Sequence, residues 1–92
     1  MIDFIKNKKF FITGGTGTLG KALVTRILEN DGTPIVYSRD EGKQALSFGG
    51  DSRVIRIIGD IRDYDKLNVS MSRLSPDVVI HTAALKRIDD ME

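Results

Sequence analysis

The chain has no cysteine, no tryptophan, a single histidine and only two prolines in 92 residues. Without cysteine, neither a disulfide-stapled secreted scaffold nor a thiolate metal site is available. Long apolar runs are missing too: Val78-Val79-Ile80 is typical, against the roughly 20 apolar residues that a membrane-crossing helix needs. Nor is there an excess of one charge. Fourteen basic and thirteen acidic side chains, mixed along the chain, leave a net charge of +1, which argues against a nucleic-acid partner. The opening Met1-Ile2-Asp3-Phe4-Ile5-Lys6 sets an acid inside a short apolar stretch with lysines after it, the reverse of a secretory signal. A cytoplasmic, reducing compartment and no membrane partner are the expectation. Ninety-two residues make one small domain at most, with a modest core. Residues 86–92 carry no helix stop and no turn residue, so the chain reads as cut short.

What is present is a βα alternation. Lys9-Phe10-Phe11-Ile12-Thr13 favours a strand and halts at Gly14-Gly15. Over residues 18–30, Leu19, Leu23 and Ile27 recur every four positions, widened by Ala22, Val24 and Leu28, which predicts a helix ended by Asn30-Asp31-Gly32. Pro34 opens a second strand, Ile35-Val36-Tyr37-Ser38. A weak helix is expected over residues 41–48, where glycines crowd it, and a third strand over residues 53–58, stopped by Gly59. Asp63 is placed to cap a helix from Tyr64 to Leu74, with Leu67, Met71 and Leu74 on one face. Ser75-Pro76 ends it, and residues 77–81 make a fourth strand.

Strands two to four lack clean alternation, as strands covered by helices on both faces do. The order β-α-β-α-β-α-β implies an α/β fold: the N-terminal part of a Rossmann-type doubly wound parallel sheet, with about four strands and three helices. The fourth strand would lie at an edge, and its apolar run predicts a homo-oligomer or self-association there.

Two glycine patterns overlap after the first strand: Gly14, Gly17 and Gly20 spell G-x-x-G-x-x-G, and Gly15, Gly17 and Gly20 spell G-x-G-x-x-G. Between a strand and an amphipathic helix, such glycines let the backbone approach a pyrophosphate while the helix N-terminus offers free N–H groups. This points to a dinucleotide site. Two other readings stand beside it. One is a glycine-rich turn without a ligand. The other is a nucleotide triphosphatase loop, G-x-x-x-x-G-K from Gly15 to Lys21, which has Ala22 where a Ser or Thr would be needed for Mg²⁺.

The end of the second strand bears on which dinucleotide. An NAD-selective site places Asp or Glu about 20 residues after the glycines, on the ribose 2′-hydroxyl. Here Ser38-Arg39 occupies that place, 19 positions from Gly20 to Arg39. A guanidinium suits a 2′-phosphate, so NADP is favoured over NAD. Asp40 or Glu41 would take the ribose if the strand ended one residue later, and Arg39 as a solvated surface residue is the bland alternative. Asp60, after the third strand, is an acceptor for the adenine amino group, with Ile61 against the ring, or else a turn residue. Beyond the fourth strand, Ala83 and Ala84 leave room for a nicotinamide-side ribose, Lys86 is within reach of a phosphate, and His81 reads as structural.

Together, the loop Thr13–Gly20, the string Tyr37-Ser38-Arg39-Asp40-Glu41, the turn Gly59-Asp60-Ile61-Arg62-Asp63 and the segment His81-Thr82-Ala83-Ala84-Leu85-Lys86 resemble the N-terminal portion of the extended short-chain dehydrogenase/reductases. More narrowly they resemble the polysaccharide-biosynthesis branch that includes the inverting UDP-N-acetylglucosamine 4,6-dehydratases. The resemblance implies a partial NAD(P)-binding domain over residues 1–92. Gly14, Thr16, Gly17, Thr18, Leu19 and Gly20 would hold the pyrophosphate of NADP; Ser38 and Arg39 its 2′-phosphate; Asp60 and Ile61 adenine; Ala83, Ala84 and Lys86 the nicotinamide end. In the family, hydride leaves C4 of the sugar for NADP⁺, water is lost across C5–C6, and the hydride returns to C6. The family's Tyr-x-x-x-Lys pair does not occur: Glu41 stands four residues after Tyr37, and Asn68 four after Tyr64. No catalytic residue is therefore assigned, the chain is expected to be inactive alone, and a UDP-sugar substrate is expected only in a full-length form. A nucleotide-sugar epimerase or reductase fragment, or a stand-alone NADP-binding module, are the alternatives.

Overall fold

The computed structural model describes residues 2–82. Four strands, β1 (Lys9–Thr13), β2 (Thr33–Ser38), β3 (Ile55–Ile58) and β4 (Val78–His81), form one parallel sheet in the order β3-β2-β1-β4. Among the described residues they are accompanied by helices α1 (Ile2–Ile5), α2 (Thr18–Glu29), α3 (Glu41–Phe48) and α4 (Tyr64–Leu74). The chain builds outward from β1 to β2 and β3, then crosses back to lay β4 on the other side of β1. A doubly wound sheet reverses direction in this way, and the crevice beside the carboxyl end of β1 is where such folds take their ligands. The Rossmann-type expectation holds, with α1 as a single turn that the sequence reading did not foresee.

The core has two halves, one on each face of the sheet. Phe10 and Ile12 of β1 and Val36 of β2 pack with Val24 and Ile27 of α2 and with Phe48 and Val54. On the opposite face Phe11, Ile35 and Tyr37 meet Leu67, Met71 and Leu74 of α4. Each fully buried side chain of this size contributes about 1.5–3 kcal/mol, so the two middle strands anchor the molecule.

Three expectations need correction. The buried stripe of α2 runs through Gly20, Val24 and Ile27 rather than Leu19, Leu23 and Ile27; Leu19 is 44% exposed, and Ala22 is exposed as well. The helix is turned so that Gly20 lies against the loop, an arrangement that hydrophobic period cannot reveal. Second, β3 starts at Ile55, because Asp51 holds the backbone N–H of Arg53 in a turn, 2.9 Å away. Third, β3 and β4 alternate in exposure along their length, while β1 and β2 are buried on both faces. They are the two edges of the described sheet. Val79 of β4 is left 41% exposed.

Local signals account for the helix ends. Asp40 and Asp63 cap α3 and α4, their carboxylates accepting from the N–H groups of Lys43 at 2.9 Å and Lys66 at 3.2 Å. The C-terminus of α2 closes as a Schellman motif: Asp31, at φ 63°, gives its N–H to Leu28, and Gly32 gives its N–H to Ile27. Among the described residues no helix is long and apolar enough to cross a membrane.

Candidate functional site

The glycine loop joins β1 to α2 at the carboxyl edge of the sheet. Gly14 takes φ +74°, a conformation that L side chains rarely adopt, and a Cβ there would lie 2.9 Å from Thr82 Oγ1. The loop is pinned from both neighbouring strands. Gly14 donates its N–H to the Tyr37 carbonyl of β2 at 2.8 Å, and the Thr82 hydroxyl donates to the carbonyls of Thr13 at 2.8 Å and Gly14 at 3.0 Å. Beneath it the Thr13 hydroxyl and His81 Nδ1 are 2.8 Å apart, which ties the end of β4 to β1. At the far end, Gly20 presses the first turn of α2 onto the backbone of Gly15 so closely that a Cβ would overlap it. Gly17 is different: among the described residues nothing lies within 4 Å of the place its Cβ would take.

The N-terminus of α2 is also chemically distinct. Its N-cap, Gly17, offers no side-chain acceptor, and its first turn has no acidic residue. By contrast α3 and α4 are each capped by their own aspartate and have an acid in the first turn. The leading N–H groups of α2 therefore face an unfilled demand for an acceptor, with the positive end of the helix dipole behind them. The geometry suits an anion.

Beside the loop a hollow of about 500 Å³ opens over the ends of β1, β2 and β3. Gly14, Thr16, Ser38, Arg39, Asp60 and Ile61 all line it, so residues from three separate stretches of sequence converge as expected. Strand β2 ends at Ser38, which makes Arg39 the first residue past the strand, and its guanidinium is 71% exposed. Asp40, the alternative ribose ligand, has its carboxylate engaged as the cap of α3. Ser38 is nearly buried, and its hydroxyl oxygen receives a hydrogen bond from Gln44 Nε2 at 2.8 Å.

Asp60 is held in a fork. Arg62 donates its backbone N–H and its Nε to Oδ1 and its terminal nitrogen to Oδ2 at 2.8 Å, while Arg39 approaches Oδ2 at 3.8 Å. These bonds, chiefly the side-chain ones from Arg62, pull the Asp60 carboxyl down from 3.8 to about 2. The buried Tyr37 below it donates its hydroxyl to the Asp60 carbonyl at 3.2 Å; burial first, then Asp63 and Asp60, raise its pKa. A depressed carboxyl pKa means that the charged form belongs to the fold: its contribution is complete above the ordinary value and is lost as pH falls through about 2. Asp60 therefore remains a charged acceptor throughout the neutral range. Followed by carboxyl ¹³C shifts, Asp60 should barely titrate between pH 7 and 4, whereas in Arg62→Ala its midpoint should rise toward 3.8.

Gly17, Thr18, Leu19 and Gly20 form the adjoining turn at the head of α2. Ala83, Ala84 and Lys86 lie outside the described residues. Four residues escaped the sequence reading. Lys43 and Arg62 line the same hollow, Thr82 clamps the loop, and Gln44 reaches Ser38 from α3. Two had a local signal: Lys43 is a second cation four residues after Arg39, one helical turn along, and Arg62 stands two residues after the Asp60 that it holds. Thr82 acts through a contact with a distant part of the chain, and Gln44 through one that bridges α3 to β2 and β3.

Comparison with known proteins places this geometry. Residues 10–92 match the family described as polysaccharide biosynthesis protein. The chain is 45% identical over 85 residues to a UDP-N-acetylglucosamine 4,6-dehydratase (inverting) of Campylobacter jejuni, covering 88% of this chain and 25% of that protein. It is 37% identical over 93 residues to a UDP-glucose 4-epimerase of Rickettsia bellii, covering 94% of this chain and 27% of that protein. The structure of the Bordetella bronchiseptica enzyme WbmG in complex with NAD shares the fold, with a TM-score of 0.74 and 22% identity over 83% of this chain and 24% of that one. The chain thus spans about a quarter of the length of the curated relatives it matches. By the family match over residues 10–92, this chain belongs to the family described as polysaccharide biosynthesis protein.

Proposed function

We propose that the chain is the NADP-binding N-terminal portion of a nucleotide-sugar 4,6-dehydratase of the UDP-N-acetylglucosamine class. The observation that carries the cofactor reading is the pair of cations at the mouth of the hollow. Arg39 and Lys43 line it where an NAD-selective site would present a carboxylate, and Asp40, the carboxylate next in sequence, is engaged as a helix cap. The open cradle at Gly17 and the uncapped head of α2 fit a pyrophosphate. Bound there, NADP supplies a hydride acceptor for sugar oxidation. The chain's own residues bind and orient it: the glycine loop takes the pyrophosphate, Ser38, Arg39 and Lys43 the 2′-phosphate, and Asp60 and Ile61 the adenine. Ala83, Ala84 and Lys86 belong in this reading at the nicotinamide end, and the exposed Val79 edge of β4 as a surface for self-association.

The 45% identity to the dehydratase, against 37% to the epimerase, favours dehydration as the reaction of the whole protein. An epimerase is the second reading, supported by the longer stretch of chain matched. Either way the Tyr-x-x-x-Lys pair is not among these residues, so the chain alone should bind cofactor without turning over UDP-N-acetylglucosamine. Calorimetric titration is the test. NADP is expected to bind at least about tenfold more tightly than NAD, from one charge-assisted contact set. Equal affinities would overturn the NADP assignment, and formation of a 4-keto-6-deoxy sugar by the chain alone would overturn the role as a non-catalytic portion.

A further inference from the structure

Gln44 is fully buried, yet it faces the sheet with a polar head. Its Nε2 lies 2.9 Å from the Ile57 carbonyl of β3 and 2.8 Å from Ser38 Oγ of β2. A carbonyl oxygen only accepts, so the nitrogen of the amide must face Ile57, and the same nitrogen then meets Ser38. One amide proton goes to each. The Ser38 oxygen is thereby made an acceptor on its inner side, and its own proton must be donated elsewhere. No acceptor for it is found among the described residues, and Ser38 lines the hollow next to Arg39.

The other end of the amide sharpens the point. Gln44 Oε1 is buried with no hydrogen-bond partner among the described residues. A buried, unpaired acceptor is destabilising, and a methionine would fill the same space without it. Turning the amide over would relieve nothing, because it would set oxygen against the Ile57 carbonyl. What the amide supplies that an apolar side chain cannot is direction.

We propose that Gln44 is a positioning residue that commits the Ser38 hydroxyl to donate into the dinucleotide hollow, so that this position selects a ribose phosphate over a ribose hydroxyl. The inference rests on the reading of Ser38 and Arg39 as the 2′-phosphate end. A phosphate oxygen only accepts, carries charge and forms the stronger bond with a one-way donor; a ribose hydroxyl forms the weaker, neutral one.

The experiment titrates NADP and NAD into the wild-type chain and into Ser38→Ala, Gln44→Met and the double variant, with circular dichroism as the folding check. Ser38→Ala should weaken NADP about tenfold and NAD less than threefold, as the loss of one hydrogen bond to a charged group. Gln44→Met should reproduce most of that NADP loss while sparing NAD, and the double variant should lose no more than Ser38→Ala alone, because both act through one hydroxyl. A merely structural amide would lower both affinities alike, or add its loss to that of Ser38→Ala; either outcome overturns the inference and leaves the NADP reading intact. If Gln44→Met does not fold, Ser38→Ala decides, since an unchanged NADP-to-NAD ratio overturns the proposal. A wild-type chain that binds neither dinucleotide overturns this inference and the cofactor reading together.

Discussion

Gly20→Val should abolish dinucleotide binding, with a loss of at least about 100-fold, while Gly17→Ala should reduce binding and leave the fold intact. A Cβ at Gly20 would occupy the space of the Gly15 backbone, so the first turn of α2 must lift away from the loop. Overpacking of this kind costs about 1–3 kcal/mol of stability. The larger consequence is geometric. The loop and the head of α2 must hold one pyrophosphate between them, and a displacement of roughly 1 Å in such a site is enough for a 100-fold effect. At Gly17 the backbone is ordinary, φ −82°, and no described residue lies within 4 Å of an added Cβ. Alanine is a poorer N-cap than glycine, so it should cost about 1 kcal/mol of stability while displacing none of the described residues. Thermal melts alongside calorimetric titration separate the two effects. If Gly17→Ala binds both dinucleotides as the wild type does, the pyrophosphate does not lie over this loop.

Arg39→Ala should weaken NADP by about 10- to 100-fold and NAD by less than threefold. The estimate follows from the value of a hydrogen bond to a charged group, about 1.5–3 kcal/mol. Arg39 is available for this because its commitments among the described residues are slight: the side chain is 71% exposed, and its ion pair to Asp60 is 3.8 Å long. A pair of that kind contributes at most about 1 kcal/mol, so the variant should melt close to the wild type. Asp60 does not depend on it, since Arg62 supplies the bonds that hold its carboxyl near 2. Equal losses for NADP and NAD would remove Arg39 from the 2′-phosphate and return it to the status of a surface cation.

Where the signal was local, the residues revealed the structure closely. Helix α4 runs from Tyr64 to Leu74 behind its Asp63 cap, and β1 spans Lys9–Thr13, both as read from the sequence. Capping aspartates, a Ser-Pro stop and a β-branched run act within a few residues, so a linear reading captures them. The weak helix over Glu41–Phe48 formed despite its glycines because Asp40 caps it and because Gln44 and Phe48 have a core to enter. Hydrophobic period misplaced the face of α2 because the deciding contact is between two glycines, Gly20 and Gly15, which carry no hydrophobic signal. It also overstated the covering of β3 and β4, since a run of apolar residues does not say whether its strand is central or at an edge.

The candidate site divides along the same line. The order of the residues was enough to specify the βα alternation, the glycine loop at the head of α2, and the arrival of Ser38-Arg39 and Asp60 at the same edge of the sheet. Parallel strands joined by helices must all end on one side, so any residue just past a strand falls near the ligand crevice. Folding added what the linear order does not show: Thr82 clamps a loop 68 residues away, and Gln44 of α3 reaches both Ser38 of β2 and the Ile57 carbonyl of β3. The reason is physical: contacts within two or three residues, such as the Asp40 cap and the Arg62–Asp60 pair, follow from the order of the chain, whereas a hydrogen bond between distant strands finds its partner and direction only when those strands are laid side by side.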